Sequence, residues 1–277
     1  MKWVAFAIAL SAFLAGCTPP APPAQGGPKG AAPLSAERLR DLDALIAAYP
    51  DFLAGHDGTM LAWKDGTKTP ISDGRTDKTA EETLEEPDIE DIFHWVYPLG
   101  ANDDPPPTEF DPGRARPAAL FGKMYGDCEA GEVDKKLARV AWVGAKDIAF
   151  TTVNGADKAL AAVARDLEAL GPKYAAYLNP IAGTHSCRAI AGTERRSMHA
   201  FAAAIDINTE FSDYWRWSGG AKEMRPYKNR IPLEIVRTFE KHGFIWGGRW
   251  AHFDTMHFEY RPEMILAAER ARTSPAN

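Results

Sequence analysis

The chain has no apolar run long enough to cross a membrane, no basic excess, no internal repeat and only three cysteines among its 277 residues. Its one sustained apolar run, Val4 to Ala15, falls short of the roughly 20 residues that a hydrocarbon core of about 30 Å demands. The formal charge is -6, yet eight acids against one lysine between Asp77 and Asp91 carry all of it and leave the remainder close to neutral. That remainder offers no electrostatic footprint for nucleic acid, so no nucleic-acid partner is expected. The acids also lack the alternating ligands and central glycine of a calcium loop, and their run reads as a solvated face.

What the N-terminus does have is an export pattern. Lys2 precedes the apolar run and Leu14-Ala15-Gly16-Cys17 is a lipobox, so residues 1–16 read as a lipoprotein signal peptide cleaved before Cys17, the lipidation site. Residues 17–34, rich in Pro, Ala and Gly, have almost nothing to bury and form an extended tether. The expected location is a bacterial cell envelope, with the chain lipid-anchored to a membrane and facing the periplasm or wall. In that oxidising compartment Cys128 and Cys187 are left either as a disulfide or as two buried thiols, and spacing alone does not choose.

Beyond the tether roughly 240 residues remain, enough for one sizeable core. Leu39, Leu42, Ile46 and Tyr49 recur at helical spacing behind Ser35, which predicts a capped helix over Ala36 to Ala48. Between Asp51 and Pro117 every periodic run is broken by Gly, Asp, Thr or Pro. Residues 35–138 are therefore expected to be that helix plus an irregular, loop-rich extension, and residues 139–277 the core. Val140 to Val143 and Ile148 to Val153 read as a hairpin, Asp157 to Leu170 as a helix stopped by Gly171-Pro172, and Pro232 to His242 as another ended by Gly243. The fold class expected is α+β, a small antiparallel sheet flanked by helices with its chemistry in the sheet cleft.

Two blocks concentrate that chemistry, Ser197-Met198-His199 through Asp206, and Asp254-Thr255-Met256-His257-Phe258-Glu259-Tyr260. Ala203 to Ile207 reads as a short buried strand in which Asp206 points away from Ile205 and Ile207, with His199 on the turn feeding it. In the second block Met256, Phe258 and Tyr260 alternate with His257 and Glu259, which puts an imidazole and a carboxylate on one face. His199, Asp206 and His257 thus form the two-imidazole, one-carboxylate set that holds a zinc ion, one per chain, and leaves a fourth position open for water. Asp254 lies at the strand mouth, where a general base belongs, with Glu259 as the alternative. His252 falls on the opposite strand face and reads as structural.

Ser-x-His-x6-Asp followed by Asp-x-x-His resembles the zinc D-alanyl-D-alanine carboxypeptidases and dipeptidases and the L-alanyl-D-glutamate endopeptidases that cut bacterial peptidoglycan, over about Val140 to Glu263. The resemblance implies that His199, Asp206 and His257 bind zinc and that Asp254 is the catalytic base, where many members carry Glu. It also implies that Arg188 steadies the substrate carbonyl, against the simpler role of pairing with an acid such as Glu194. The family often has Gly in the region that Ala202 fills. Ser197 has two uses for one hydroxyl, a hydrogen bond to substrate or a cap on the turn of His199. Tyr214, Trp215 and Trp217 read equally as an aromatic wall for peptide or glycan and as core. A nucleophile built from Cys187 and His185 is the poorer reading, because no orienting Asn or Asp is evident.

The expected function is zinc-dependent hydrolysis of peptide bonds in peptidoglycan stem peptides, either D-Ala-D-Ala or L-Ala-D-Glu. The alternative is a zinc-bearing module that binds cell-wall peptides without cutting them. The acid at 254 and Arg188 favour the enzyme. A metal-free structural lipoprotein would require the ligand set to be coincidence.

Overall fold

A computed structural model describes residues 35–144, 146–190, 193, 195–217 and 226–273. The signal peptide, Cys17 and the tether lie outside the described residues, as does Glu194. Among the described residues no helix is long and apolar enough to cross a membrane.

Ser35 accepts a hydrogen bond from the Arg38 N–H and opens α1 (Ala36–Ala48), which turns Leu42, Leu45 and Ala48 inward. The next segment differs from the expectation of irregular chain from Asp51 to Pro117. Its first part forms an antiparallel meander of β1 (Leu53–His56), β2 (Met60–Trp63) and β3 (Lys68–Pro70), followed by α2 (Ala80–Glu85). From there to Pro117 the chain is irregular apart from a 3-10 turn at Glu90–Phe93, as expected, and α3 (Ala118–Tyr125) comes next. Strands of three or four residues are too short to display a period of two, so the alternation that marks a strand never builds up. Leu53, Leu61, Trp63 and Ile71 nevertheless reach the core.

The acidic run is more than a solvated face. Lys78, its side chain only 5% exposed, places its ammonium 2.8 Å from Asp73, 2.6 Å from Asp91 and 3.4 Å from Asp88. Thr79 and Glu82 form a capping box at the start of α2. Acids that look surplus in sequence are therefore bound into local structure.

β4 (Leu137–Val140) and β5 (Ile148–Thr151) make the expected hairpin, shifted so that Val140 pairs with Ile148 and Trp142 lies beyond the strand. α4 (Ala156–Ala169) follows and covers it, then the single-turn helix α5 (Ala175–Leu178). The remaining elements are β6 (Ala204–Asp206), α6 (Leu233–Lys241), β7 (Phe244–Trp246), β8 (His257–Tyr260) and α7 (Pro262–Thr273). They set up the central sheet in the order β6-β8-β7, all antiparallel.

This sheet divides two cores. Ile205, Phe244, Trp246, Phe258 and Tyr260 leave one face and pack with Phe150, Leu160, Val163, Val236 and Phe239 from α4, α6 and the hairpin. Ala204 and Ile245 leave the other and meet Leu42, Leu45 and Tyr49 of α1, Phe121 and Tyr125 of α3, and Met264 of α7. Each fully buried apolar side chain of this size contributes about 1.5–3 kcal/mol, so both faces hold the sheet flat against its covers. Register puts Glu259 between Ala204 and Ile245, and His257 opposite Asp206. The polar residues of β8 therefore emerge on the side that α1, the meander and α3 cover.

Candidate metal centre

Asp206 and His257 are direct cross-strand partners, so their side chains leave the same face side by side. The segment before them completes the edge: Asp206 N–H donates to Gly183 C=O, and Ala182 N–H donates to Asp206 C=O, both at 2.8 Å. His199 arrives from a tight 3-10 turn, Met198–Phe201. Ser197 caps this turn by accepting from the His199 N–H at 3.3 Å. Ala202 closes it in the left-handed region at φ 52°, a conformation that costs a side-chain-bearing residue about 1–2 kcal/mol relative to its usual basin. Position 202 is thus one where the backbone would favour Gly.

These elements bring three donor groups together, two imidazoles and one carboxylate that offers an oxygen to each. His199 Nε2 lies 3.1 Å from Asp206 Oδ2, His257 Nδ1 lies 2.9 Å from Asp206 Oδ1, and the two nitrogens are 3.2 Å apart. Ligands at zinc bond lengths on a tetrahedron stand about 3.3 Å from one another. The observed edges fall within a few tenths of an ångström of that value, and His199, Asp206 and His257 are the one such group among the described residues.

The far side of each ring fixes which nitrogen is free. His199 Nδ1 faces the Thr184 carbonyl at 3.1 Å, and a carbonyl only accepts, so Nδ1 carries the proton and Nε2 presents a lone pair. His257 Nε2 faces Glu259 Oε2 at 3.3 Å and donates there, which turns Nδ1 toward Asp206. Glu259 is fully buried, held by Arg116 at 2.9 Å and by Arg261 at 3.4 Å. Burial alone would raise its carboxyl, but Arg116, His257 and Arg261 overcome it and hold Glu259 down to about 2. An acid locked behind the ring in this way has no access to the open side, which removes Glu259 as a base.

Without a cation the site is a tight proton trap. Burial disfavours a charged His257, yet Asp206 and Glu259 on its two sides push it up to about 10. Asp206 is itself lowered, against its burial, by His199 and His257. A proton then sits where a cation would, and the two compete for one lone pair. The donor set fits zinc in kind, in number and in spacing.

Asp254 approaches this cluster from the loop before β8. Its N–H donates to Gly247 C=O at 3.0 Å, its own C=O accepts from His257 N–H at 3.2 Å, and it bridges to Tyr214. Burial first, then the charge of Asp206, pushes its carboxyl up to about 7, with His257, Arg114 and Arg188 pulling the other way. Asp254 Oδ1 is buried with no hydrogen-bond partner among the described residues. Gly247 makes this approach possible, because a Cβ there would meet Asp254 O at 2.5 Å and Trp250 Cζ3 at 2.9 Å.

The other residues singled out in the sequence separate. Arg188 is exposed, beside an isolated bridge between Ala189 and Arg196, and is tied to the donor cluster only through its charge on Asp254. Trp215 is buried against the His252 ring, whereas Trp217 is 59% exposed with its ring 5.9 Å from that of Tyr214. Cys128 and Cys187 are joined by a disulfide, with Cα atoms 5.6 Å apart, so Cys187 offers no thiol to His185. His252 Nδ1 lies 2.6 Å from Asp111 Oδ2, away from the donor cluster.

That last pair carries a pH prediction. Asp111 is buried, and although burial opposes it, Arg114 and His252 hold its carboxyl down to about 2 against an ordinary 3.8. A depressed acid stabilises the fold above its unfolded value and loses that contribution as pH falls through about 2, here about 2 kcal/mol in all. Asp111→Asn is expected to melt well below the unsubstituted protein at pH 7 and to converge with it near pH 2. Parallel melting curves at both pH values would contradict this.

Arg114, Arg116, Trp250 and Gly247 were not legible as site residues. The Trp250 ring lies 5.6 Å from the His257 ring, with Arg114 and Arg116 over it at 5.4 and 5.8 Å. The only sequence signal was Gly247-Gly248 set between Trp246 and Trp250, a place where bulky rings and bare backbone must meet. No curated protein and no solved structure matches this chain. Residues 191–260, the stretch that holds His199, Asp206, Asp254 and His257, match a family model described as D-alanyl-D-alanine carboxypeptidase, which supports a peptidase of the peptidoglycan type.

Proposed function

We propose that the chain is a zinc-dependent peptidase that cuts peptide bonds in peptidoglycan stem peptides from a lipid-anchored position in the envelope. One observation carries this reading: His199 Nε2, Asp206 and His257 Nδ1 converge at near-tetrahedral spacing beside Asp254, whose Oδ1 is buried and unpaired. When bound, zinc would supply a Lewis acid for the scissile carbonyl and lower the pKa of a coordinated water to about 7. Asp254 takes the proton of the attacking water and hands it to the leaving amine. In the metal-free chain burial and the charge of Asp206 push its carboxyl up to about 7, and a bound cation would draw it lower, leaving a carboxylate able to accept that proton near neutral pH. Arg188 is assigned the carbonyl oxygen, which gains negative charge as the water oxygen adds to the carbonyl carbon and gives it back as the C–N bond breaks. Ser197 uses its oxygen to accept from His199, so its O–H stays available to a substrate carbonyl. The lipobox at Cys17 supports the anchor, and the tether length suits reach into a wall.

The test is mass spectrometry of peptidoglycan fragments after incubation with the protein from Ser35 onward, with zinc supplied and with zinc chelated. New peptide ends that need zinc are expected, and the mass lost identifies the bond as D-Ala-D-Ala or L-Ala-D-Glu. Unchanged fragments with zinc still bound would replace the enzyme by the wall-binding module. His257→Ala is expected to lose bound zinc and turnover together, read by metal analysis on the same sample. Gly247→Ala should keep zinc and lose about 10–100-fold in turnover, because its methyl forces Asp254 off position by an amount to which such geometry is sensitive. Full activity in that variant would mean that the loop accommodates the methyl and that Asp254 is not held there.

A further inference from the structure

The covering layer contributed by residues 35–138 reaches the candidate metal ligands through one unbroken chain of buried polar contacts. Tyr49, on the last turn's edge of α1, donates its O–H to Glu263 Oε2 at 2.7 Å. Glu263 pairs through Oε1 with Arg261 Nε, and Arg261 Nη1 reaches both Gly113 C=O and Glu259 Oε1. Arg116 closes on the same carboxylate from the other side, with Nε at 3.2 Å and Nη2 at 2.9 Å from Glu259 Oε2. That is the oxygen to which His257 Nε2 donates. Arg261, Glu259 and Glu263 are fully buried, and the Arg116 side chain is only 6% exposed.

The segment carrying Arg116 is itself pinned. Trp250 Nε1 donates to Pro112 C=O at 2.7 Å, and both Arg114 and Arg116 lie over the Trp250 ring. Gly113 is packed so closely that a Cβ would come 2.3 Å from Ile245 Cδ1. The third guanidinium nitrogen of Arg116, Nη1, is buried with no partner among the described residues, so none of their other acids competes with Glu259 for this side chain. A two-nitrogen grip on one oxygen fixes the carboxylate in place as well as in charge, which a lysine ammonium does less well.

Resting on the zinc reading above, we propose that Arg116 is a positioning residue for His257: by gripping Glu259 it holds the imidazole with Nε2–H on the carboxylate and Nδ1 toward Asp206 and His199. The covering layer is then part of the metal site's support. Outer partners of this kind change metal affinity by about 10–100-fold when removed.

The experiment compares the full chain with Arg116→Met, which loses charge and fork, Arg116→Lys, which keeps the charge alone, and Glu259→Gln, which keeps the volume of the acid. Zinc affinity is measured by chelator competition, and the His257 Nε2–H by NMR of the metal-free protein. Arg116→Met and Glu259→Gln are expected to bind zinc about 10–100-fold more weakly, with Arg116→Lys between them and the unsubstituted chain. The His257 ring N–H signal should be lost or exchange-broadened in Arg116→Met. Zinc affinity within threefold in a folded Arg116→Met, or in Glu259→Gln if Arg116→Met does not fold, overturns the proposal. If the unsubstituted chain binds no zinc, the zinc reading fails on its own. The ring signal then decides: its loss in Arg116→Met upholds the positioning role, and its persistence overturns it.

Discussion

Asp254→Asn is expected to bind zinc as the unsubstituted chain does and to cleave stem peptides about 10²–10⁴-fold more slowly, the span that a general base contributes. The three donor residues lie on β6, β8 and the turn before β6, and Asp254 touches them through its backbone carbonyl, which the substitution leaves in place. The amide keeps the shape of the side chain but cannot take a proton. A second signature separates this from simple damage. A buried acid raised to about 7 destabilises the fold increasingly between its unfolded value near 3.8 and pH 7, and fully above it. Asn removes that penalty. The metal-free variant should therefore melt no lower than the unsubstituted protein at pH 8, while turnover collapses. A variant with undiminished turnover would take Asp254 out of the mechanism, and Glu259, held behind the His257 ring by two arginines, could not replace it.

Arg261→Leu is expected to be the most destabilising single change near the site. The guanidinium is fully buried, touches Glu259, Glu263 and the Gly113 carbonyl, and lies 4.7 Å over the Phe121 ring. Glu259 keeps Arg116, but Glu263 is left with the Tyr49 hydroxyl as its side-chain partner. Removing one partner of a buried ion pair costs about 3–5 kcal/mol, because the other charge stays buried and uncompensated. In a domain of this size each kcal/mol lowers the melting temperature by about 2–4 °C, so a drop on the order of 10 °C is expected for the metal-free protein. Adding Glu263→Leu to Arg261→Leu removes the orphaned charge and should recover part of the loss. Additive losses in the double variant would show that packing, not charge, sets the cost.

The parts of this architecture that could be read beforehand are those with a strong local cause. Ser35 and the helical spacing of Leu42, Ile46 and Tyr49 mark α1 to the residue, because cap and stripe agree. Asp206 could be turned away from Ile205 and Ile207, and His257 with Glu259 away from Phe258 and Tyr260, because apolar residues alternate with them, and those apolar neighbours do lie together in the second core. That the two strands pair was not legible. The meander was hidden by strands shorter than one pattern length. Lys78 looked like a lone base in an acidic run because its three partners converge only after the chain turns back at Asp88. Arg116 was invisible for a deeper reason. Its contact with Glu259 spans 143 residues, and nothing local distinguishes an arginine that will hold a carboxylate behind a histidine from one that faces water.

β8 has a hydrogen-bonded neighbour on each edge, and its sheet has a core on each face. A strand enclosed on all sides has no private way to open, so its amide protons exchange with solvent at the rate set by unfolding of the whole molecule. Asp206 and His257 are fastened to one another across that ladder. Their spacing is thus as durable as the fold, and departure of a bound ion becomes a matter of side-chain rotation and water entry at the mouth, completed while the backbone beneath has yet to exchange a single proton.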